Sequence, residues 1–162
     1  MAEMFLMTGP SGAGKTTLAF ELVKKLGLKY MGIEDFYARH FGSELIHDEE
    51  EEVWQEFEDA IRDLENDGVD ILVDTNSPSC ADRAWFFERF PNYAINLIIV
   101  EADREICLFN NRNRARRIPE KEMLHILDSV ESVTDDEIRN YKSVELYRNY
   151  DNSGVKFVRK LK

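Results

Sequence analysis

The sequence predicts an α/β protein with a mainly parallel five-stranded sheet covered by helices on both faces. Two observations carry this. Short apolar runs alternate with helix-period segments from one end of the chain to the other. The first run also ends in a glycine-rich turn that opens a helix. With 162 residues, the chain reads as one domain, 1–162, at the usual ~100–200 residues per domain. That length is enough to bury a core without disulfides or a metal.

The elements follow in order. Glu3–Thr8 is a short apolar run closed by Gly9 and reads as a buried strand. Lys15–Gly27 carries Leu18, Leu22, Val23 and Leu26 at helical spacing, and Gly27 stops it. Leu28–Ile33 reads as a second strand, followed by the acidic-aromatic stretch Glu34–Phe41, which Gly42 breaks. Glu49–Asp67 is a long helix with Val53, Phe57, Ala60, Ile61 and Leu64 on one face. Val69–Val73 is a third strand with Asp74 at its end, and Ser79–Phe90 another helix.

Ala94–Val100 is the most apolar strand, and Asp103 to about Arg112 is helical. Pro119 suits the first turn of a helix running to Val133. Thr134-Asp135-Asp136-Glu137 reads as a capping box opening a last helix. Asn152-Ser153-Gly154 then turns the chain into a fifth strand, Val155–Arg159.

Composition excludes several classes. The chain is 43% hydrophobic, which rules out a disordered polymer. No run of ~18 apolar residues is present, so no membrane span is expected. Met1–Gly9 lacks a basic n-region, so no signal peptide is expected. Cys80 and Cys107 read as reduced thiols of a cytoplasmic protein, and the isolated His40, His47 and His125 do not make a zinc site.

The net charge is −11, which argues against a uniformly basic coat for long nucleic acid. That charge is local: twelve acids and one base, Arg62, fall between Glu44 and Asp67, and the rest of the chain sums to zero. The acidic run Asp48–Glu52 reads as a helix N-terminus, where carboxylates oppose the positive end of the dipole.

The strongest motif is Gly9-Pro10-Ser11-Gly12-Ala13-Gly14-Lys15-Thr16-Thr17, a full match to G-x-x-x-x-G-K-[ST] between a strand and a helix. Its glycines permit a bend whose N–H groups point at phosphate oxygens. In such a loop the Lys15 ammonium reaches the β- and γ-phosphates and the Thr16 hydroxyl is a Mg²⁺ ligand. The ligand expected is a nucleoside triphosphate, ATP rather than GTP, since no N-K-x-D is present.

Asp74 closes an apolar strand at the sheet edge where such ligands bind, so it is a candidate for Mg²⁺, with Thr75 and Asn76 beside it. At the same edge, Asp35 is the first candidate for a carboxylate that takes a proton from an acceptor hydroxyl, and Glu34 the second. Arg112-Asn113-Arg114-Ala115-Arg116-Arg117 holds four arginines, with Arg112 and Arg116 on one face if helical. Guanidinium groups bind phosphate oxygens bidentately, and helix–basic turn–helix over about 104–133 makes a lid.

In this order these motifs resemble the bacteriophage polynucleotide 5′-hydroxyl kinases and related small P-loop phosphotransferases. The residues are Gly9–Thr16, Asp35 with Tyr37, Asp74-Thr75-Asn76, and Arg112-Asn113…Arg116…Ile118-Pro119. The resemblance implies a three-layer P-loop kinase core with a helical arginine lid. It implies ATP·Mg on Lys15 and Thr16, Asp35 as general base, Asp74 and Asn76 on the acceptor and metal side, and Arg116 with Arg112 on the transferring phosphoryl group. The acceptor it implies is a DNA or RNA 5′ end. Where that family has an arginine three positions after the base, this chain has Ala38, and Arg39 lies one further on.

Two alternatives stay open at this point: a kinase of a small molecule (nucleoside, nucleotide, sugar acid or antibiotic), and an ATP-binding switch. No protein partner is inferable from the sequence.

Overall fold

The computed structural model describes residues 1–41, 50–115 and 117–162, with the side chain of residue 41 left out. Six strands form one sheet: β1 (Glu3–Thr8), β2 (Lys29–Gly32), β3 (Ile71–Asp74), β4 (Ala94–Ala102), β5 (Ser143–Asn149) and β6 (Val155–Lys160). Their order is β2-β3-β1-β4-β5-β6. All neighbours pair parallel except β5 with β6. The helices are α1 (Lys15–Leu26), α2 (Ile33–Phe41), α3 (Glu50–Asn66), α4 (Cys80–Arg89), α5 (Arg104–Asn113), α6 (Glu120–Asp128) and α7 (Asp135–Ile138).

Strand periodicity builds the three layers. Successive side chains of β3 go to opposite faces: Ile71 and Val73 join a core with Phe36, Phe57 and Phe86, whereas Leu72 joins one with Leu18 and Met123. In β4, Ile95 and Leu97 go to the first core, and Ile98 and Val100 to the second. Helices α2, α3 and α4 therefore cover one face and α1, α5 and α6 the other. The central strands are apolar throughout because both faces are buried.

The sheet has six strands, not five, and the difference lies after Thr134. The Thr134 hydroxyl does accept the Glu137 N–H, at 3.2 Å, and starts α7. But Glu137 spends its carboxylate on Arg83, with Nε to Oε2 at 2.6 Å and Nη2 to Oε1 at 2.8 Å. The helix ends after one turn. The chain then enters the sheet beside β4, where Lys142 N–H donates to Ile95 O at 2.8 Å and Ser143 Oγ to Asn96 Oδ1 at 2.6 Å. The alternation Val144, Leu146 carries the strand signal that the helix reading passed over. Val155–Lys160, read as the fifth strand, is the sixth and lies antiparallel at the edge.

Gly42, His47 and the first residues of the acidic run lie outside the described residues.

Candidate active site

The carboxyl ends of β1, β2 and β3 meet in a cleft of about 340 Å³. Residues 9–14 leave β1 and enter α1, so the positive end of that helix faces the cleft. The bend is tight. At Gly12 φ is +82°, and a Cβ there would lie 2.6 Å from Cys107 O of α5. No L side chain fits that space.

Lys15 is buried, and its ammonium donates to Gly9 O and Pro10 O at 2.9 Å and to Asn76 Oδ1 at 3.0 Å. Burial pushes it below the ordinary lysine range, while the Asp74 and Glu34 carboxylates oppose that shift. Thr16 Oγ1 donates to Asp74 Oδ2 at 2.9 Å, and the Tyr30 hydroxyl donates to the same oxygen at 2.6 Å. Burial and the nearby Asp74 carboxylate push the Tyr30 phenol far up, so it stays protonated as a donor.

Gly32 makes the Tyr30 contact possible: a Cβ there would lie 2.6 Å from the Tyr30 hydroxyl. In the register, Gly32 stands opposite Asp74.

Three asparagines brace the loop. Asn110 Nδ2 donates to Gly12 O at 2.7 Å and Asn149 Nδ2 to Ala13 O at 3.3 Å. Asn110 and Asn152 exchange side-chain hydrogen bonds of 2.9 and 2.8 Å.

The expected loop residues are placed as follows. Ser11, Gly12, Gly14, Lys15, Thr16 and Thr17 line the cleft, while Gly9 and Ala13 supply carbonyl acceptors. Asp74 and Asn76 stand on the facing wall.

The acidic pair after β2 divides differently from the expectation. Both residues are exposed on the first turn of α2, but Glu34 lines the cleft and Asp35 does not. Arg39 is also outside it: its Nε donates to Asp35 O at 3.3 Å and its guanidinium lies 4.1 Å over the Phe36 ring.

Among the arginines, Arg114 lines the cleft, 3.8 Å from Glu34. Arg112 is exposed and turned to Glu120. Arg116 lies outside the described residues. Helix α5, which carries Arg112, ends at Asn113, and Arg114 is extended. The buried Asn111 is the physical reason. Its amide accepts the Ile118 N–H at 3.0 Å and donates to Ile118 O at 2.7 Å, drawing the chain back across the helix end.

Tyr30, Gly32, Ile33 and Asn110 are cleft residues that sequence reasoning missed, and Arg114 stood in the arginine segment without being its chosen residue. The i, i+2 pair Tyr30 and Gly32 before an acidic residue was the available signal for the first.

A second cavity of about 420 Å³ opens beside the first. Ile33, Glu34, Thr75 and Asn76 line both. Its far walls are Tyr37, Trp54, Trp85 and Phe86, with Ile118 and Ile126 above. Its floor loop is held by the fully buried Arg83, whose Nη1 donates to Ser77 O and Pro78 O at 3.3 and 3.1 Å.

Among the described residues no group of three or more His, Cys, Asp or Glu side chains is placed to hold a metal. The Thr16–Asp74 oxygen pair is the donor set present at the phosphate cleft. Mg²⁺ typically takes one or two such hard oxygens and fills its shell with water and phosphate, so the pair fits it. Among the described residues no helix is long and apolar enough to cross a membrane.

The model of the AAA domain family matches residues 4–133. No curated protein matches the chain. Solved structures with this fold include a sugar kinase from Janibacter sp. HTCC2649, at 17% identity and TM-score 0.69 over 91% of this chain and 86% of that one. A gluconokinase from Sinorhizobium meliloti 1021 matches at 13% identity and TM-score 0.59, over 90% and 82%. The AvrRxo1-ORF1:-ORF2 structure with ATP matches at 16% identity and TM-score 0.76, over 99% of this chain but 58% of that one. At these identities the likeness is one of fold, and the fold is that of the P-loop kinases.

Proposed function

The chain belongs to the AAA domain family, and from that premise we propose that it is an ATP-dependent kinase moving the γ-phosphate to a hydroxyl of a small molecule. One observation carries this: the phosphate cleft and a neighbouring 420 Å³ cavity share a wall that bears Glu34 and Asn76. A donor phosphate and an acceptor hydroxyl would meet at that wall. ATP as donor is supported by the loop motif and by the neighbour solved with ATP.

The roles follow from placement. The loop N–H groups and Lys15 hold the β- and γ-phosphates. Thr16 and Asp74 would hold Mg²⁺, which neutralises charge on the phosphate oxygens. The acceptor oxygen attacks the γ-phosphorus while the bond from that phosphorus to the β–γ bridging oxygen breaks. ADP leaves with that oxygen, and the acceptor proton passes to the Glu34 carboxylate. Glu34 takes the role expected of Asp35 because it faces both cavities. Arg114, which lines the phosphate cleft, would offset the charge that builds on the phosphoryl group.

A DNA or RNA 5′ end is the second reading, favoured by the order of the four motifs. The experiment is a screen for acceptor-dependent ADP release and transfer of labelled phosphate. The panel contains hydroxyl-bearing small molecules and oligonucleotides with 5′-hydroxyls. Transfer to a small molecule is expected. Transfer to oligonucleotides alone selects the second reading, and ATP binding with no transfer to any acceptor overturns both.

A further inference from the structure

The wall of the phosphate cleft includes a tyrosine, Tyr30. Strand β2 puts residues 30 and 32 on one face, because successive side chains alternate. In the register Tyr30 stands opposite Leu72 and Gly32 opposite Asp74. The phenol therefore passes over the bare face of Gly32 to reach the buried carboxylate of the next strand. It donates to Asp74 Oδ2 at 2.6 Å, the oxygen to which Thr16 Oγ1 donates at 2.9 Å. The ring is seated on the α1 side of the sheet. It leans on Phe20, with centroids 4.7 Å apart, and packs against the core that holds Leu18 and Leu72.

Two donors on one oxygen have a consequence for a cation. The Thr16 hydroxyl has one proton and two lone pairs. While the proton goes to Asp74, the lone pairs are left for a metal. That division holds only while Asp74 keeps its place. A carboxylate held by one hydrogen bond can pivot about it, and a second donor removes that freedom. Groups that orient a metal ligand in this way are worth ~10–100-fold in metal affinity.

We propose that Tyr30 is a positioning residue for the divalent cation of this cleft, acting through Asp74 to keep Asp74 and Thr16 aligned as one oxygen donor set. The inference rests on the ATP and Mg²⁺ part of the reading above. It does not depend on the acceptor.

The test is calorimetric binding of the ATP analogue AMP-PNP to the full chain, in saturating magnesium and in EDTA. The ratio of the two Kd values is the factor by which magnesium tightens binding, and wild type should show one. Tyr30→Phe should reduce that factor about tenfold, as loss of a group orienting a metal ligand does, with the Kd in EDTA unchanged. Gly32→Ala should do the same by a separate route, since its Cβ drives the hydroxyl off Asp74. Either variant decides, whichever is folded by circular dichroism. Phe20→Leu loosens the seat of the ring but keeps the hydroxyl, so it should lower stability and leave the factor at its wild-type value.

A wild-type factor in folded Tyr30→Phe or Gly32→Ala overturns the proposal. An equal loss in Phe20→Leu also overturns it, because the effect is then one of general loosening. Wild type that binds AMP-PNP equally with and without magnesium removes the metal reading and the proposal with it. The expected pattern without transfer to any acceptor sinks the kinase reading and leaves the role of Tyr30 standing.

Discussion

The Tyr30 hydroxyl reaches across Gly32 to Asp74, 2.6 Å from the same oxygen that Thr16 holds at 2.9 Å. A tyrosine on one strand thus fixes the carboxylate that ends the next, over a residue with no side chain. Its ring leans on Phe20, with centroids 4.7 Å apart, so it cannot easily move aside. Tyr30→Phe should cost about 1.5–3 kcal/mol of stability, as loss of a hydrogen bond to a charged group does. Gly32→Ala should cost more, because the added Cβ meets the ring itself. Urea unfolding checks both. In a Tyr30→Ala background the Gly32→Ala cost should shrink, and the double-mutant cycle measures that coupling.

Of the two acids after β2 only Glu34 lines the cleft, so their variants should separate. Glu34→Gln should lower the transfer rate by ~10²–10⁴, the usual contribution of a general base. ATP binding, measured by calorimetry, should stay close to wild type. Asp35→Asn should leave both near wild type, since Asp35 lines neither cavity.

Arg114 and Arg112 form a similar pair. Arg114→Ala should reduce kcat by up to ~10³–10⁵, as loss of an arginine at the γ-phosphate does, with a smaller change in KM for ATP. Arg112→Ala removes an exposed pair with Glu120, which is worth ~0–1 kcal/mol in such positions. Steady-state kinetics on the two variants makes the comparison.

The Arg83–Glu137 pair is buried, bidentate and joined by the Tyr141 hydroxyl at 3.0 Å. Glu137→Gln should destabilise the fold by ~3–5 kcal/mol at neutral pH, because it leaves a buried guanidinium without its counter-charge. Burial pushes the Glu137 carboxyl up, but the Arg83 and Tyr141 hydrogen bonds outweigh it and hold the group below its ordinary value of 4.5. A depressed folded value means the stabilisation is complete above about pH 4.5 and is lost as pH falls through the lower folded value. The gap between wild type and Glu137→Gln, measured by denaturant unfolding, should therefore narrow below pH 4.5 and stay constant above it.

What the sequence made legible was local. The spacing of residues 9–17 is contiguous, so the motif could be read with its strand before and its helix after. The choice between Glu34 and Asp35 was not legible, because it depends on which way two adjacent side chains leave the first turn of a helix. The choice between Arg112 and Arg114 depends on where α5 stops. That is set by Asn111 folding its amide onto Ile118, seven residues on. Strand β5 was hidden by a genuine helix start at Thr134. The partner that takes the Glu137 carboxylate is Arg83, more than fifty residues upstream. Tyr30 became visible only once register set Gly32 opposite Asp74.

Asn111 and Arg83 together constrain the span between them. Near its start, Ile118 is tied by Asn111 through both backbone groups. Just past its end, Glu131 is moored three times. Its N–H donates to Pro78 O at 2.8 Å, its carbonyl accepts from Arg83 Nη2 at 3.3 Å, and its carboxylate accepts the Cys80 N–H at 3.1 Å. Helix α6 is therefore a bridge with two abutments, not a flap on one hinge.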